Sequence, residues 1–156
     1  MVRGFRCAGL AVAFGVFVAG SGSAAPGAGY GFSVDITLSP RAAALLAAKH
    51  EMITVSAEYS GDPIPSKMKL ADEMGEIDLG GEDVTIPGTN GRAVISGRKF
   101  IAAHAGWVKV PQVLINVFTA RHSDPNNLLD CGIFEDALSK AQAAPIQIYC
   151  KVIGEP

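Results

Sequence analysis

The chain is poor in the residues that most enzymes and nucleic-acid-binding proteins display. Of its 156 residues, 3 are cysteine, 3 are histidine and 1 is tryptophan. No cysteines stand in Cys-x-x-Cys spacing and no histidines in His-x-x-x-His spacing, which excludes a local dithiol redox motif and a local zinc site. A Gly-x-Ser-x-Gly turn, a glycine-rich phosphate loop and a His-Glu-x-x-His helix are absent too. Those are the usual short devices for acyl transfer, nucleotide binding and zinc proteolysis. The 13 Lys+Arg against 15 Asp+Glu leave a net charge of −2, so there is no basic footprint for nucleic acid or anionic lipid. No apolar run reaches the roughly 20 residues that a permanent membrane span needs.

What is present begins at the N terminus. Arg3 and Arg6 precede an apolar run from Leu10 to Val18, and Ser23 and Ala25 follow in small-x-small spacing. That order describes a cleavable export signal over residues 1–25. Cys7 lies inside it without the apolar-x-small context of a lipid-attachment site. The expected location is therefore the periplasm or the extracellular space. Removing 25 of the 156 residues leaves 131, and taking Arg3 and Arg6 from the 13 basic residues leaves 11 against 15 acidic ones, a net charge of −4. A chain of that length supports one domain with its own core. Two cysteines survive cleavage, Cys131 and Cys150. In an oxidising compartment they are expected to pair.

Periodicity supplies the architecture. Residues 26–31 read as a flexible leader and 32–156 as a single β-rich domain. Phe32, Val34, Ile36 and Leu38 alternate with polar residues, as do Ile53, Val55, Ala57 and Tyr59; each set predicts a half-buried strand. Ser39-Pro40 opens a short helix through Lys49, with Ser39 as its cap. Pro63 and Pro65 make 61–75 a loop, and Asn90-Gly91 predicts a tight hairpin placing Ile86 opposite Ile95. Val113 to Ala120 is apolar on both faces, which suggests a central strand covered on both sides. Gly132 to Ala144 reads as a second helix, with Glu135 and Asp136 in its first turn, Cys131 at its head and Pro145 stopping it. Ile146 to Ile153 closes the chain as a strand with Cys150 facing inward. The expected fold is an antiparallel β-sandwich, immunoglobulin-like or transthyretin-like, with two short helices. The alternative is an α+β sheet with both helices on one face, and the strand–helix–strand units allow some parallel pairing.

Few residues point to chemistry. Trp107 sits in a short segment near Lys109, and with Arg121 these form a candidate binding patch, because tryptophan buries a large area with few lost rotamers. His50, Met52, Met68, Met74 and His104 are candidate metal ligands, since thioether and imidazole suit copper outside the cytoplasm. The acidic run Asp72, Glu73, Glu76, Asp78, Glu82 and Asp83 lacks a calcium-loop pattern and reads as a solvated edge. Arg121-His122-Ser123-Asp124 holds acid–base residue types, but neighbours along a chain do not build a triad. No cofactor is implied. The expectation is a non-catalytic exported domain that binds a protein partner in the cell envelope or outside the cell, as an inhibitor, immunity or accessory protein. A metal-handling protein using Met and His is the alternative, and a small hydrolase with a dispersed site is a third reading.

Overall fold

The computed structural model describes residues 29–156, so the expected signal over 1–25 lies outside the described residues. Strand β1 (Phe32–Leu38) buries every second side chain. Helix α1 (Pro40–Lys49) follows at once. Ser39 Oγ accepts the Ala42 N–H at 3.0 Å, and Pro40 occupies the first turn, where no N–H partner is needed. The helix ends at His50, which takes a left-handed conformation (φ 51°). Then come β2 (Met52–Gly61), β3 (Ile77–Pro87), β4 (Gly91–Ile95), β5 (Gln112–Thr119), β6 (Leu129–Cys131), β7 (Phe134–Ala137), helix α2 (Leu138–Ala143) and β8 (Ile146–Val152).

Two four-stranded sheets, ordered β4-β1-β8-β6 and β3-β2-β5-β7, pack face to face as a β-sandwich. Val34, Ile36, Ile146 and Ile148 of the first sheet join Ile53, Val55, Val113 and Ile115 of the second in one buried core. Both helices lie at crossovers between sheets: α1 leads from β1 to β2, and α2 from β7 to β8. One pair departs from the antiparallel rule. β1 and β8 run parallel, with Val34 opposite Ile146 and Leu38 opposite Cys150. Among the described residues no helix is long and apolar enough to cross a membrane.

Several expectations are corrected. Asn90-Gly91 does not make a hairpin: β4 pairs with β1, so Ile95 lies opposite Phe32 rather than Ile86, and neither turn residue has the positive φ that a type I′ turn needs. The chain instead crosses between sheets, because Ile86 and Ile95 must enter the same core from opposite sides. Asn90 Oδ1 accepts the Leu38 N–H at 2.8 Å and fixes that crossing. The second helix is confined to its last turns. Phe134–Ala137 pairs with β5 as an edge strand, with Glu135 opposite Leu114, and tertiary pairing overrides helix propensity there. β5 is central, but only Val113, Ile115, Val117 and Thr119 are buried, while Asn116 on the other face is exposed. The end of the expected flexible leader is packed: Tyr30 stacks on Phe100 at 3.7 Å, and Gln142 Nε2 donates to the Gly29 carbonyl at 2.7 Å.

Buried polar side chains hold the connections between strands. Glu82, expected in a solvated edge, is buried: Ser96 Oγ donates to it at 2.7 Å and the Gly97 N–H at 2.6 Å, so β3 anchors the turn after β4. Gly97 has φ 70°, and a β-carbon there would strike the Tyr30 backbone. Burial, reinforced by the charge of Glu82, pushes the Tyr59 hydroxyl up. Glu51 clamps the other end of the sandwich. Its carboxylate accepts the N–H groups of Met52 (2.9 Å), His122 (2.9 Å), Ser123 (2.8 Å) and Asp124 (3.1 Å), and the Ser123 hydroxyl (2.7 Å). Burial disfavours its charge, but these donors outweigh burial and hold its pKa down to about 2.

Cys131 on β6 lies directly opposite Cys150 on β8, and the two form a disulfide. Cys131 therefore ends a strand rather than heading a helix. β6 has only 3 residues, so the bond fastens a short edge strand to the centre of its sheet.

Two predictions follow from these anchors. Cys131→Ser should lower stability by about 3 kcal/mol, the loop-closure value for a loop of roughly 20 residues, read as a fall in melting temperature of the oxidised protein. Because the folded pKa of Glu51 lies below its ordinary 4.5, its contribution is complete above about pH 4.5 and is lost as the pH falls towards about 2. Glu51→Gln should cost about 3 kcal/mol at neutral pH by turning an N–H donor towards other donors, and should flatten the acid limb of a stability–pH profile measured by urea unfolding.

Candidate binding surface

The end of the sandwich opposite Glu51 is built by two 3₁₀ segments, Pro65–Leu70 and Ala102–Trp107. Pro63 and Pro65 bar regular strand continuation after β2. The chain instead turns and lies along residues 107–109. The Ile64 N–H donates to the Trp107 carbonyl at 2.8 Å, and the Lys109 N–H donates to the Asp62 carbonyl at 2.8 Å. Gly61 permits this approach, because a β-carbon there would come within 2.8 Å of the Val110 carbonyl oxygen.

Trp107 is half-buried in this platform. The His104 ring stacks on it with centroids 4.0 Å apart and planes 19° from parallel. Lys67 Nζ stands 4.7 Å from the centroid of the indole, a cation–π contact. The indole is thus held by contacts from both 3₁₀ segments. On the same two segments and the residues that follow them, Met68 is 66% exposed, Leu70 53% and Val110 49%. Exposed apolar side chains on the segments that hold a fixed aromatic ring suit association. Lys109 pairs with Asp62 at 3.6 Å, but both side chains are well exposed and the pair adds little stability. A shallow concavity of about 280 Å³ runs between Pro63, Pro65, Met68 and Lys109.

Arg121 does not join Trp107 and Lys109. They precede β5 and it follows β5, so a strand of 8 residues, about 25 Å at the usual rise, separates them. Arg121 adopts a left-handed conformation (φ 58°), and its guanidinium sits 6.0 Å from the Phe118 ring centre. The next three residues, His122, Ser123 and Asp124, give their backbone N–H groups to Glu51. That stretch is a structural clasp, and the Ser123 hydroxyl is engaged in it. Asp124 also takes a 2.9 Å ion pair from Lys49.

The five candidate metal ligands do not assemble. His50 and Met52 stand at the start of β2, whereas Met68, Met74 and His104 stand beyond its far end, about 30 Å away at the usual rise for a strand of 10 residues. The His104 ring is committed to Trp107, and Met74 is 86% exposed. Among the described residues no group of three or more His, Cys, Asp or Glu is placed to hold a metal ion.

Three residues of the acidic run, Asp72, Glu76 and Asp78, border a groove of about 630 Å³ on the outer face of the β3-β2-β5-β7 sheet. Asp72 and Glu76 stand on its turn side, Asp78 on β3, Glu58 on β2 and Glu135 on β7, with half-buried Leu114 between the last two strands. Asp72 Oδ1 accepts the N–H groups of Met74 (2.8 Å) and Glu76 (3.1 Å), so part of the run shapes its own turn. Sequence reasoning missed Lys67, Glu58 and Glu135. The alternation of β2 does place Glu58 outward, but the contribution of Glu135 depends on β7 being a strand.

Comparison with known proteins gives no family for the chain: no family model, curated protein or solved structure matches it.

Proposed function

We propose that the protein is a small, exported, non-catalytic β-domain that binds another macromolecule of the cell envelope or the extracellular space through the Trp107 end of the sandwich. The observation that carries this reading is the half-buried indole, fixed between His104 and Lys67 and accompanied by exposed Met68, Leu70 and Val110. A rigid aromatic side chain has already lost most of its rotamer freedom, so a partner that covers it gains apolar burial at small entropic cost. Export is supported by the signal pattern of residues 1–25 and by the Cys131–Cys150 disulfide, which suits an oxidising compartment. The dispersal of the histidines and methionines withdraws the support for a metal carrier.

The reading is tested by cross-linking the protein in its own exported fraction and identifying what it holds. Trp107→Ala should weaken recovery of the wild-type partner by about tenfold or more, the usual consequence of removing an interfacial tryptophan. Arg121→Ala, at the far end, should leave recovery unchanged. Equal recovery with Trp107→Ala, or loss only with Arg121→Ala, would refute the assignment of this end.

A further inference from the structure

The outer face of the β3-β2-β5-β7 sheet carries carboxylates in successive cross-strand rows, with one register shift on β3 between the Glu58 and Ser60 rows. Three successive cross-strand rows define it. Ser56 lies between Asp83 and Asn116; Glu58 lies between Gly81 and Leu114, with Glu135 beyond Leu114; Ser60 lies between Asp78 and Gln112. Glu58, Asp78, Asp83, Asn116 and Glu135 are exposed, and the 72–76 turn walls one side of the groove that runs over these rows. Each row carries at least one carboxylate and none carries a lysine or arginine. Among the described residues, Glu58, Asp83 and Glu135 take part in none of the three ion pairs, which are Lys49–Asp124, Arg92–Asp35 and Lys109–Asp62. The Asp78 carboxylate accepts only the neighbouring Gly80 N–H, at 2.8 Å, while its carbonyl lies 3.4 Å from His104 Nδ1.

We propose that this face docks an extended polypeptide segment carrying lysine or arginine at alternate positions. The spacing supports that occupant. Rows two residues apart along a strand repeat at about 7 Å, which is also the repeat of same-side residues in an extended chain. Glu58 and Glu135 flank β5 from the two adjacent strands, about 10 Å apart at the usual strand separation. A single divalent cation needs its oxygen ligands within about 2.6 Å, and these carboxylates are spread too widely for that. Spaced cations on one chain suit them instead. Leu114 gives an apolar floor for a lysine or arginine stem while the flanking carboxylates meet its charged end. Ser56, Ser60 and Gly81 keep the face low, so a partner backbone comes close. The sign of the charge rejects nucleic acid and anionic lipid.

The inference is independent of the Trp107 reading and is tested on the exported chain with a short synthetic peptide alternating lysine and threonine. Backbone amide shifts are followed by NMR, with a glutamate–threonine peptide as control. The lysine peptide should bind saturably at low salt, with shifts centred on β2, β5 and β7. Affinity should fall about tenfold on raising salt to about 0.3 M. The double variant Glu58→Gln/Glu135→Gln should weaken it by a similar factor, while Trp107→Ala should leave it unchanged. No saturable binding, unaltered binding by the double variant, or equal binding of the glutamate peptide would overturn the proposal. So would shifts confined to the Trp107 end, or calcium chloride alone moving the same amides at micromolar concentration.

Discussion

The structure depends on a core only two side chains thick, one from each sheet. With so little depth, every inward position decides whether apolar area is removed from water, and a one-residue slip of any strand would reverse its two faces. Phe32, Ile36, Val55, Tyr59, Ile115 and Ile148 all meet that demand by alternation alone. A thin core also leaves the connections near the surface, where amides of loops and strand ends need partners. Glu51, Glu82, Asn90 and Asn127 supply them from side chains, each tying a connection to a strand or helix end. The connections are therefore ordered by hydrogen bonds as well as by buried apolar anchors such as Phe100 and Val108.

That division of labour makes the two ends of the sandwich different. At one end Glu51 consumes the amides and hydroxyl of the 122–124 stretch. At the other, two 3₁₀ segments hold Trp107 by stacking and by a cation, with Met68, Leu70 and Val110 left exposed. The first end has its polar groups engaged internally, and the second retains unsatisfied apolar area. A partner that covered the second end would release water from Met68, Leu70 and Val110, which is the physical basis of the binding role proposed for it.

Local rules read well from the sequence where a single element is self-sufficient. The alternation of β1 and β2, the Ser39 cap and the inward Cys150 all follow from neighbours a few residues away. Failures arise where a distant strand decides. Asn90-Gly91 has the chemistry of a hairpin, but its flanking strands are needed in different sheets. Glu135 and Asp136 favour a helix start until the free edge of β5 claims them. Trp107 and Arg121 are close in sequence and far apart in space because an entire strand runs between them. The candidate platform was legible only through its tryptophan and Lys109, since Lys67 reaches the indole from a segment about 40 residues earlier, a crossing that no local pattern announces.

The parallel pairing of β1 with β8 joins the first described strand to the last. Its closure needs a contact across more than a hundred residues, since Val34 meets Ile146. Loop-closure entropy makes such a contact late and slow to form. Until β8 has been synthesised, β1 has only β4 beside it, and the first sheet lacks the strand that carries half of its disulfide. The nascent chain is thus barred by its own topology from completing its fold early. Any process that must act on the unfolded chain therefore has the whole interval before β8 emerges in which to do so.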